Sequence, residues 1–297
     1  MRLFRRVGQS EVLQADAGVG AGAASAPSFA RPAARPPLAG WFSNSPLLSG
    51  LAVKFVQLAF LAGVYGLLEW ITWAEILKPT VMPRPHDVLQ TFGESIRSEY
   101  VTDNLRVTFR RLGYSFGIAA SLGLLTGVVL WRLPLLGKAL EPLMASLYAV
   151  PWIFFYPLLL ILLGIGDKPI ILLAVVLGFV PVALNTFVGF REIRPIMLKV
   201  GRATGSSPLH TFYKIMMPSA APYVVAGLKL GFIYTFLSVI ATEFLVSADG
   251  LGYIVRFAYE FFQVREMYAY VLFIIVLAFI LTWLLDRVER ALRGRYQ

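Results

Sequence analysis

The chain has no cysteine, two histidines and few charges, and each shortage removes a class of function. Without cysteine, neither a disulfide nor a thiolate metal site is available. His86 and His210 lie too far apart in the sequence to indicate a metal centre. Only 15% of the residues are charged, whereas a soluble domain carries about a quarter.

A phosphate loop for nucleotide binding is also missing. The segment LLGKAL at 135–140 contains a Gly-Lys pair, but no glycine precedes it at the required spacing and no Ser or Thr follows it. We therefore predict that the chain is not an enzyme by itself, has no catalytic or metal-binding residue and binds no cofactor.

Apolar residues are abundant instead. They make up 58% of the 297 residues, and the mean hydropathy is +0.70, which is typical of an integral membrane protein. The net charge is +10, but the basic residues lie mainly at the ends of apolar runs rather than on one soluble domain. This distribution argues against nucleic-acid binding and is typical of residues that set membrane orientation.

Six apolar runs are long enough to cross a membrane, which takes about 20 residues in a helix. They lie near 51–73, 112–131, 143–164, 170–190, 224–246 and 268–285. Their apolar character is continuous, which favours helices over barrel strands. We predict an all-α membrane protein with a transmembrane domain at 47–297.

The first 46 residues are rich in Ala, Gly, Pro and Arg and contain no apolar run. Such a segment cannot bury enough surface to offset the entropy of ordering, so we predict a disordered tail over 1–46. If this tail is cytoplasmic, the inner segments carry about twice as many Lys and Arg residues as the outer ones, which predicts both termini inside. Arg106, Arg110 and Arg111 are an exception on the outer side, and they suggest attraction of an anion to the outer mouth.

Two local patterns predict helix contacts outside and inside the membrane. After Pro83 and Pro85, Asp87 is a candidate N-cap for a short amphipathic outer helix. In the second span, glycines recur at a small-residue spacing that lets another helix approach closely. We predict that they pack within the same chain; they are Gly113, Gly117, Gly123 and Gly127.

The segment 199–218, KVGRATGSSPLHTFYKIMMP, is polar and jointed between two long apolar runs. Gly205 suits the left-handed residue that ends a helix, and Ser206 or Ser207 can cap the next helix, with Pro208 at its first position. We predict that Pro218 and Pro222 end this second helix before the fifth span. The residues alone leave two interpretations open, an amphipathic hairpin on the membrane surface or a docking element for a cytoplasmic partner.

The same segment resembles the Glu-Ala-Ala loop of ATP-binding-cassette importer permeases. In that pattern a glycine is followed by nine residues and then Ile-x-Leu-Pro, and here Gly205, Ile215 and Pro218 match while Met217 replaces Leu. The pattern's first three residues differ, because Lys199, Val200 and Gly201 replace Glu-Ala-Ala. Lys199 would prefer an acidic partner where the family has an acidic residue.

Three further segments resemble the sulfonate, nitrate and taurine permeases within that family. They are VMPRPHDVLQTF in the outer loop, EPLMASLYAVPWIFFYPLLLILLGIGDKP in the third span and ATEFLVSADGLGYIV after the fifth span. The resemblance covers about residues 79–290, and the chain is identified as a member of this family.

The resemblance implies an importer-type permease fold with a cytoplasmic coupling-helix hairpin in the bacterial inner membrane. It implies as partners a second permease copy, two cytoplasmic ATPase subunits that carry ATP and Mg, and a periplasmic or lipid-anchored substrate-binding protein. The solute would be small, for example a sulfonate, nitrate or carboxylate anion. The coupling loop at 196–218 would contact the ATPase through Lys199, Gly201, Arg202, Ala203, Gly205, Ser207, Pro208, Leu209, Phe212, Ile215 and Pro218.

A translocation pathway is suggested where prolines interrupt the third span. Non-helical backbone at membrane depth is tolerated where it faces a cavity or a neighbouring helix, so the aromatic residues there form either a core or a constriction. Glu243 either lines an outer gate or holds the turn at 247–252, whereas Glu69 is expected at the interface. The pathway candidates are Tyr148, Pro151, Trp152, Phe155, Asn185 and Glu243.

Two other functions compete with an importer permease. A stand-alone secondary transporter often shows inverted repeats, and no convincing internal repeat is found in this sequence. A membrane scaffold would use the jointed segment only to recruit a cytoplasmic partner.

Overall fold

The computed structural model describes residues 46–74, 76, 78, 81–194, 196, 197, 199, 203, 205 and 207–293. The predicted tail therefore lies outside the described residues up to position 45. The described residues fall into two units, one that ends at Ala62 and one that begins at Gly63. In the first unit, residues 46–62 form the beginning of a helix.

Ten α-helices have both ends in the described part of the chain, further helical residues occur between 196 and 203, and no strand is found there. Short 3₁₀ segments occur at Leu147–Ala149 and Trp152–Phe155, and a π-helical turn occurs at Phe212–Met216. The α-helices are α1 Pro46–Trp73, α2 Pro85–Ile96, α3 Glu99–Arg132, α4 Pro134–Ser146, α5 Tyr156–Leu163, α6 Asp167–Arg191, α7 Pro208–Thr211, α8 Met217–Val246, α9 Leu251–Glu260 and α10 Val264–Arg293.

Five stretches within the described residues are long and apolar enough to cross a membrane. A sixth span results if the bent pair Pro134–Ala149 and Trp152–Leu163 is counted as one, with an angle of 83° between its parts. The predicted all-α class with about six spans is thus confirmed. Helix α3 begins at Glu99 rather than near residue 112, because Val101 and Leu105 near its charged start pack on Leu251 and Ile254 of α9.

Helix α6 lies between α3 and α8 and is the most deeply buried span. Small residues allow both contacts. A Cβ atom added at Gly127 of α3 would lie 2.7 Å from the carbonyl oxygen of Ala183, and one at Gly178 of α6 would overlap Thr235 of α8. Such close backbone approach replaces the hydrophobic effect as the source of stability between helices in lipid.

The four glycines of α3 divide into two pairs. Gly123 and Gly127 face α6, as the prediction of packing within the chain requires. Gly113 and Gly117 have open space where a Cβ atom would lie, so for them the prediction is wrong. Gly113 lies 14 residues before Gly127, about 21 Å along the helix axis, so the two pairs meet different surroundings.

The amphipathic outer helix is present as α2, but its start differs from the prediction. The N-cap is Arg84, and Asp87 lies in the first turn. Pro85 takes the first helical position because its fixed φ suits it, and the helix therefore begins before Asp87. The Phe92 ring of α2 packs on Phe273 of α10, with centroids 6.3 Å apart.

Gly127 and Gly113 provide a matched pair for testing this packing. Gly127→Ala would press a methyl group on the Ala183 carbonyl, and we expect it to lower the free energy of unfolding by about 1–3 kcal/mol. Gly113→Ala has open space and should leave stability unchanged or raise it by up to about 1 kcal/mol, because alanine favours a helix. Thermal unfolding in detergent measures both, and equal effects would contradict the assigned packing.

Candidate functional site

The turn of the coupling loop has the geometry that the sequence predicted. Gly205 has a φ of +63°, in the left-handed region that favours glycine. The backbone N–H of His210 donates to Ser207 Oγ at 3.2 Å, so Ser207 caps α7, and Pro208 is its first residue. Lys199 and Ala203 are helical, whereas Gly201 and Arg202 lie outside the described residues.

The predicted helix end at Pro218 and Pro222 is wrong. Helix α7 passes through the π-helical turn Phe212–Met216 directly into α8, and the Met217 N–H donates to the Phe212 carbonyl. Pro218 is tolerated because it lies in the first turn of α8, and Pro222 because membrane helices adjust locally around a proline. The coupling loop is therefore continuous with the fifth span.

The predicted contact residues of this loop separate into inward and outward groups. Phe212 stacks on Phe190 of α6 with centroids 5.7 Å apart, and it packs in a core with Ile193 and Met216. Phe212 is thus not a surface anchor for a partner, because its ring is held by the chain itself. Leu209 is 68% exposed and Tyr213 is 59% exposed.

Exposed apolar side chains occur on both sides of the Gly205 turn. Ile196 and Met197 precede it, and Leu209 and Tyr213 follow it. We refer to these four residues as the inner patch. Lys214 is also exposed, so the segment presents apolar and basic groups together.

The third span is broken where the sequence placed its prolines. The helix gives way to the 3₁₀ segments on either side of Val150 and Pro151, and Trp152 Nε1 donates to the Leu147 carbonyl at 2.9 Å. This bond fixes the indole against the end of the preceding turn. Val150 and Pro151 of the break line a cavity, which is where irregular backbone is tolerated at membrane depth.

A cavity of about 310 Å³ lies between this break and α8. We call it the span cavity. Its lining combines the break with one face of α8 and one residue of α6: Val150, Pro151, Trp152, Ile153, Leu177, Tyr234, Leu237, Ser238 and Ala241. The Tyr148 ring contacts Tyr234 with centroids 5.7 Å apart, and Phe155 packs on Trp152 at 5.4 Å.

The structure brings together some of the predicted pathway residues but not all. Pro151 and Trp152 line the span cavity, and Tyr148 and Phe155 contact its walls. Asn185 lies eight residues beyond Leu177 on α6, a rise of about 12 Å. Its amide donates to the Pro181 carbonyl at 2.9 Å, and Asn185 is not among the residues that line the span cavity.

Arg111 is a buried charge near the beginning of α3, with a side chain only 3% exposed. Its Nη1 lies 2.9 Å from Glu243 Oε1, and its Nη2 lies 2.6 Å from Asp167 Oδ1. Asp249 supplies a third carboxylate. Arg111 therefore joins α3, α6, α8 and the turn at 247–250.

Glu243 is fully buried, and its carboxylate accepts from several donors. Thr108 Oγ1 donates at 2.8 Å, and the Gly252 N–H donates at 3.1 Å. Gly250 has a φ of +99°, and a Cβ atom there would overlap the Glu243 carboxylate. Of the two roles considered for Glu243, the geometry favours holding the turn, because no face of this side chain is open to a gate.

The predicted attraction of anions by the outer arginines is not supported. Arg106 contacts Asp103 at 2.8 Å, and Arg110 contacts Asp167 at 2.8 Å. With Arg111 buried among carboxylates, each of the three positive charges has an acidic neighbour. Glu69 was expected at the interface. Its Oε1 lies 2.9 Å from His86 Nδ1.

Sequence reasoning missed Thr108, Asn104 and Asp167 as members of this outer cluster. Asn104 Oδ1 accepts from the Gly250 N–H at 2.7 Å, and Thr108 Oγ1 accepts from the Leu251 N–H at 2.8 Å. The available signal was the occurrence of Glu243 within the apolar run 224–246, since buried charges require partners. Which partners they find depends on tertiary packing.

Residues 119–294 match the model of the binding-protein-dependent transport system inner membrane component family. The chain belongs to this family. It is thus a multi-pass membrane permease component of an ATP-binding-cassette importer, as the resemblance implied, and no catalytic family is indicated.

Curated relatives of the permease carry transport names. It is 24% identical to the taurine transport system permease protein TauC of Escherichia coli, over 80% of this chain and 89% of that protein. It is 28% identical to the putative aliphatic sulfonates transport permease protein SsuC of Bacillus subtilis, over 65% of this chain and 70% of that protein. It is 28% identical to the nitrate import permease protein NrtB of Synechococcus elongatus, over 59% of this chain and 63% of that protein.

The fold of the permease is also found among solved structures. An inward-facing MetNI methionine ABC transporter chain superposes with a TM-score of 0.54 at 20% identity, over 66% of this chain and 99% of that chain. At this identity the likeness shows the fold alone, and it confirms the importer-permease architecture.

Removal of the buried guanidinium should destabilise the permease strongly. In Arg111→Ala, the buried Glu243 carboxylate loses its cation, and we expect a loss of about 3–5 kcal/mol in the free energy of unfolding. Arg106→Ala is the control, because its exposed pair with Asp103 should contribute at most about 1 kcal/mol. Thermal unfolding in detergent provides the measurement.

If Arg111→Ala does not accumulate, the double variant Arg111→Gln with Glu243→Gln keeps the test possible. It removes both charges and retains hydrogen-bonding groups, so it should be more stable than Arg111→Gln alone. A double variant no more stable than the single one would show that the two charges are not coupled.

Proposed function

We propose that the permease forms the translocation pathway for a small anion, such as a sulfonate, nitrate or carboxylate, and is driven by separate ATPase subunits. In this proposal a second permease copy completes the pathway, two cytoplasmic ATPases carry ATP and Mg, and a periplasmic or lipid-anchored binding protein delivers the solute. Both termini face the cytoplasm, and the chain lies in the bacterial inner membrane.

The observation that carries the proposal is the continuity between the coupling loop and α8. The loop enters α8 through a π-helical turn without a break, and the ring of Phe212 fixes it to α6. A ligand-driven change can be passed on only through contacts that differ between two states. A helix that is continuous and packed on α6 provides such contacts, whereas a flexible linker would absorb the motion.

The inner patch is the surface that an ATPase would cover. Leu209 and Tyr213 are exposed although they are apolar, and an amphipathic helix with such anchors suits a groove on a partner. Lys199 replaces the acidic residue of the family pattern. We therefore expect an acidic side chain on the ATPase opposite Lys199.

The nature of the solute is inferred from the relatives. Their names specify taurine, aliphatic sulfonates, bicarbonate and nitrate, each of which offers oxygen atoms that accept hydrogen bonds. The arginines at the outer end of the permease cannot be the source of this preference, because each contacts a carboxylate. Selection then rests with the binding protein and with the lining of the pathway.

Leu209→Asp should weaken ATPase binding without disturbing the fold. The side chain is 68% exposed, so a charge there costs little in the permease alone but opposes burial under a partner. We expect co-purification with ATP-binding-cassette ATPases of the same genome to fall at least tenfold. Phe212→Asp is not suitable, because it places a charge in the core with Phe190.

Phe262→Asp is the matched control for this test. Phe262 is 87% exposed and lies in the loop between α9 and α10, on the outer side, where no ATPase would bind. Equal ATPase recovery with Leu209→Asp and wild type would contradict the assignment of the inner patch.

Uptake experiments test the energy source. In proteoliposomes that contain the permease, its ATPase and the binding protein, we expect uptake of taurine, nitrate or bicarbonate to require ATP inside and to persist when the proton gradient is dissipated. Vesicles that lack the ATPase are the control. Uptake that follows the proton gradient without ATP would instead favour a stand-alone secondary transporter.

A further inference from the structure

Ser238 is a buried hydroxyl on α8 that lines the span cavity. It is 3% exposed, and its Oγ has no hydrogen-bond partner among the described residues. Its neighbours on the same helix behave differently. Thr235 donates to the Gly231 carbonyl at 2.8 Å, and Thr242 donates to the Ser238 carbonyl at 2.7 Å.

This difference is informative because hydroxyl groups in membrane helices usually donate to the carbonyl one turn earlier. For Ser238 that acceptor would be the carbonyl of Tyr234, and the bond is not made. A buried polar group without a partner is costly in an apolar environment. The cost is explained if the hydroxyl is used by a group that enters the cavity.

Two other buried hydroxyls, Ser115 and Thr186, also have no partner among the described residues. Neither of them lines the span cavity. Thr186 lies where α6 is packed against Gly127, and Ser115 of α3 is 0% exposed. Ser238 is therefore the one of these three residues that combines a buried hydroxyl without a partner with a place in the lining of the span cavity, and Ser115 provides a control outside that lining.

The rest of the lining suits a small solute in transit. Val150 and Pro151, at the break, line the cavity, and membrane proteins tolerate broken helices where they line a cavity. Trp152 and Tyr234 supply aromatic walls. The lining contains no charged side chain, so a passing anion would be held by hydrogen bonds alone and would be released easily, as conduction requires.

We infer that the span cavity is a transit site for the solute, in which the Ser238 hydroxyl donates a hydrogen bond to an acceptor oxygen of a small oxyanion between Trp152 and Tyr234. This inference rests on the proposed function, and it locates part of the proposed translocation pathway at named residues of this chain.

The absence of cysteine makes a direct test possible. In Ser238→Cys the new thiol is the only one in the chain, and it can be exposed in membranes to two methanethiosulfonates. One is neutral, methyl methanethiosulfonate, and the other is anionic, 2-sulfonatoethyl methanethiosulfonate. Each forms a mixed disulfide with the thiolate and releases methanesulfinate, and mass spectrometry of the intact chain measures the extent of modification.

We expect both reagents to modify Ser238→Cys and neither to modify the control Ser115→Cys. Modification by the neutral reagent alone would identify a groove for lipid chains and overturn the inference, because an anion could not enter. No modification by either reagent, or equal modification of Ser115→Cys by the anionic one, would also overturn it.

Uptake provides a second readout that separates this inference from the proposed function. With taurine, nitrate or bicarbonate as the probe, Ser238→Ala should lower the maximal rate by about threefold to tenfold, the factor that corresponds to one hydrogen bond. Ser238→Thr keeps the hydroxyl and should retain most of the rate. An unchanged rate in Ser238→Ala would overturn the inference.

The two proposals can fail independently. If the wild-type assembly takes up none of the three probes, the proposed solute class fails, whereas the labelling pattern still decides whether an anion enters the span cavity.

Discussion

Lipid offers no water to a polar group, so the outer half of this permease depends on the pairing of Arg111 with Glu243. Two buried ions are stable there only because further groups complete their hydrogen bonds. Asp167, Thr108 and the Gly252 N–H provide them. These ion pairs and hydrogen bonds connect α3, α6 and α8 with the turn at 247–252. The outer ends of three spans are thereby fixed by electrostatics, while their middles are held by close packing.

Helix α8 carries three features at different depths of the membrane. Its first turn continues from the coupling loop, its middle lines the span cavity through Ser238, and its last turn carries Glu243. A helix transmits displacement along its axis because each turn is hydrogen-bonded to the next. Movement of the inner patch by a partner would therefore reach the cavity and the outer cluster through one element. Gly178 and Gly231 let α8 lie directly on α6.

Much of this architecture could be predicted from the sequence. Apolar run lengths gave the number of spans, since bilayer thickness fixes the length of a crossing helix. Gly205, Ser207 and Pro208 specified the turn of the coupling loop, because backbone conformation and capping are local properties. The prolines at 151 and 157 marked the broken span for the same reason. Family resemblance supplied the kind of transporter, which the matching family model confirmed.

Other features were decided by tertiary structure alone. Nothing local shows that Arg111 meets Glu243, that Phe212 turns toward Phe190, or that Gly113 and Gly127 differ in their surroundings. The prediction that Pro218 ends a helix was wrong, because the π-helical turn and the packing of Met216 override the local signal. The sequence by itself thus determined the helices, their breaks and the turn of the coupling loop, since these depend on neighbouring residues along the chain. Only the packed structure decided which polar groups meet and which hydroxyl faces a cavity, since those contacts join residues far apart in sequence.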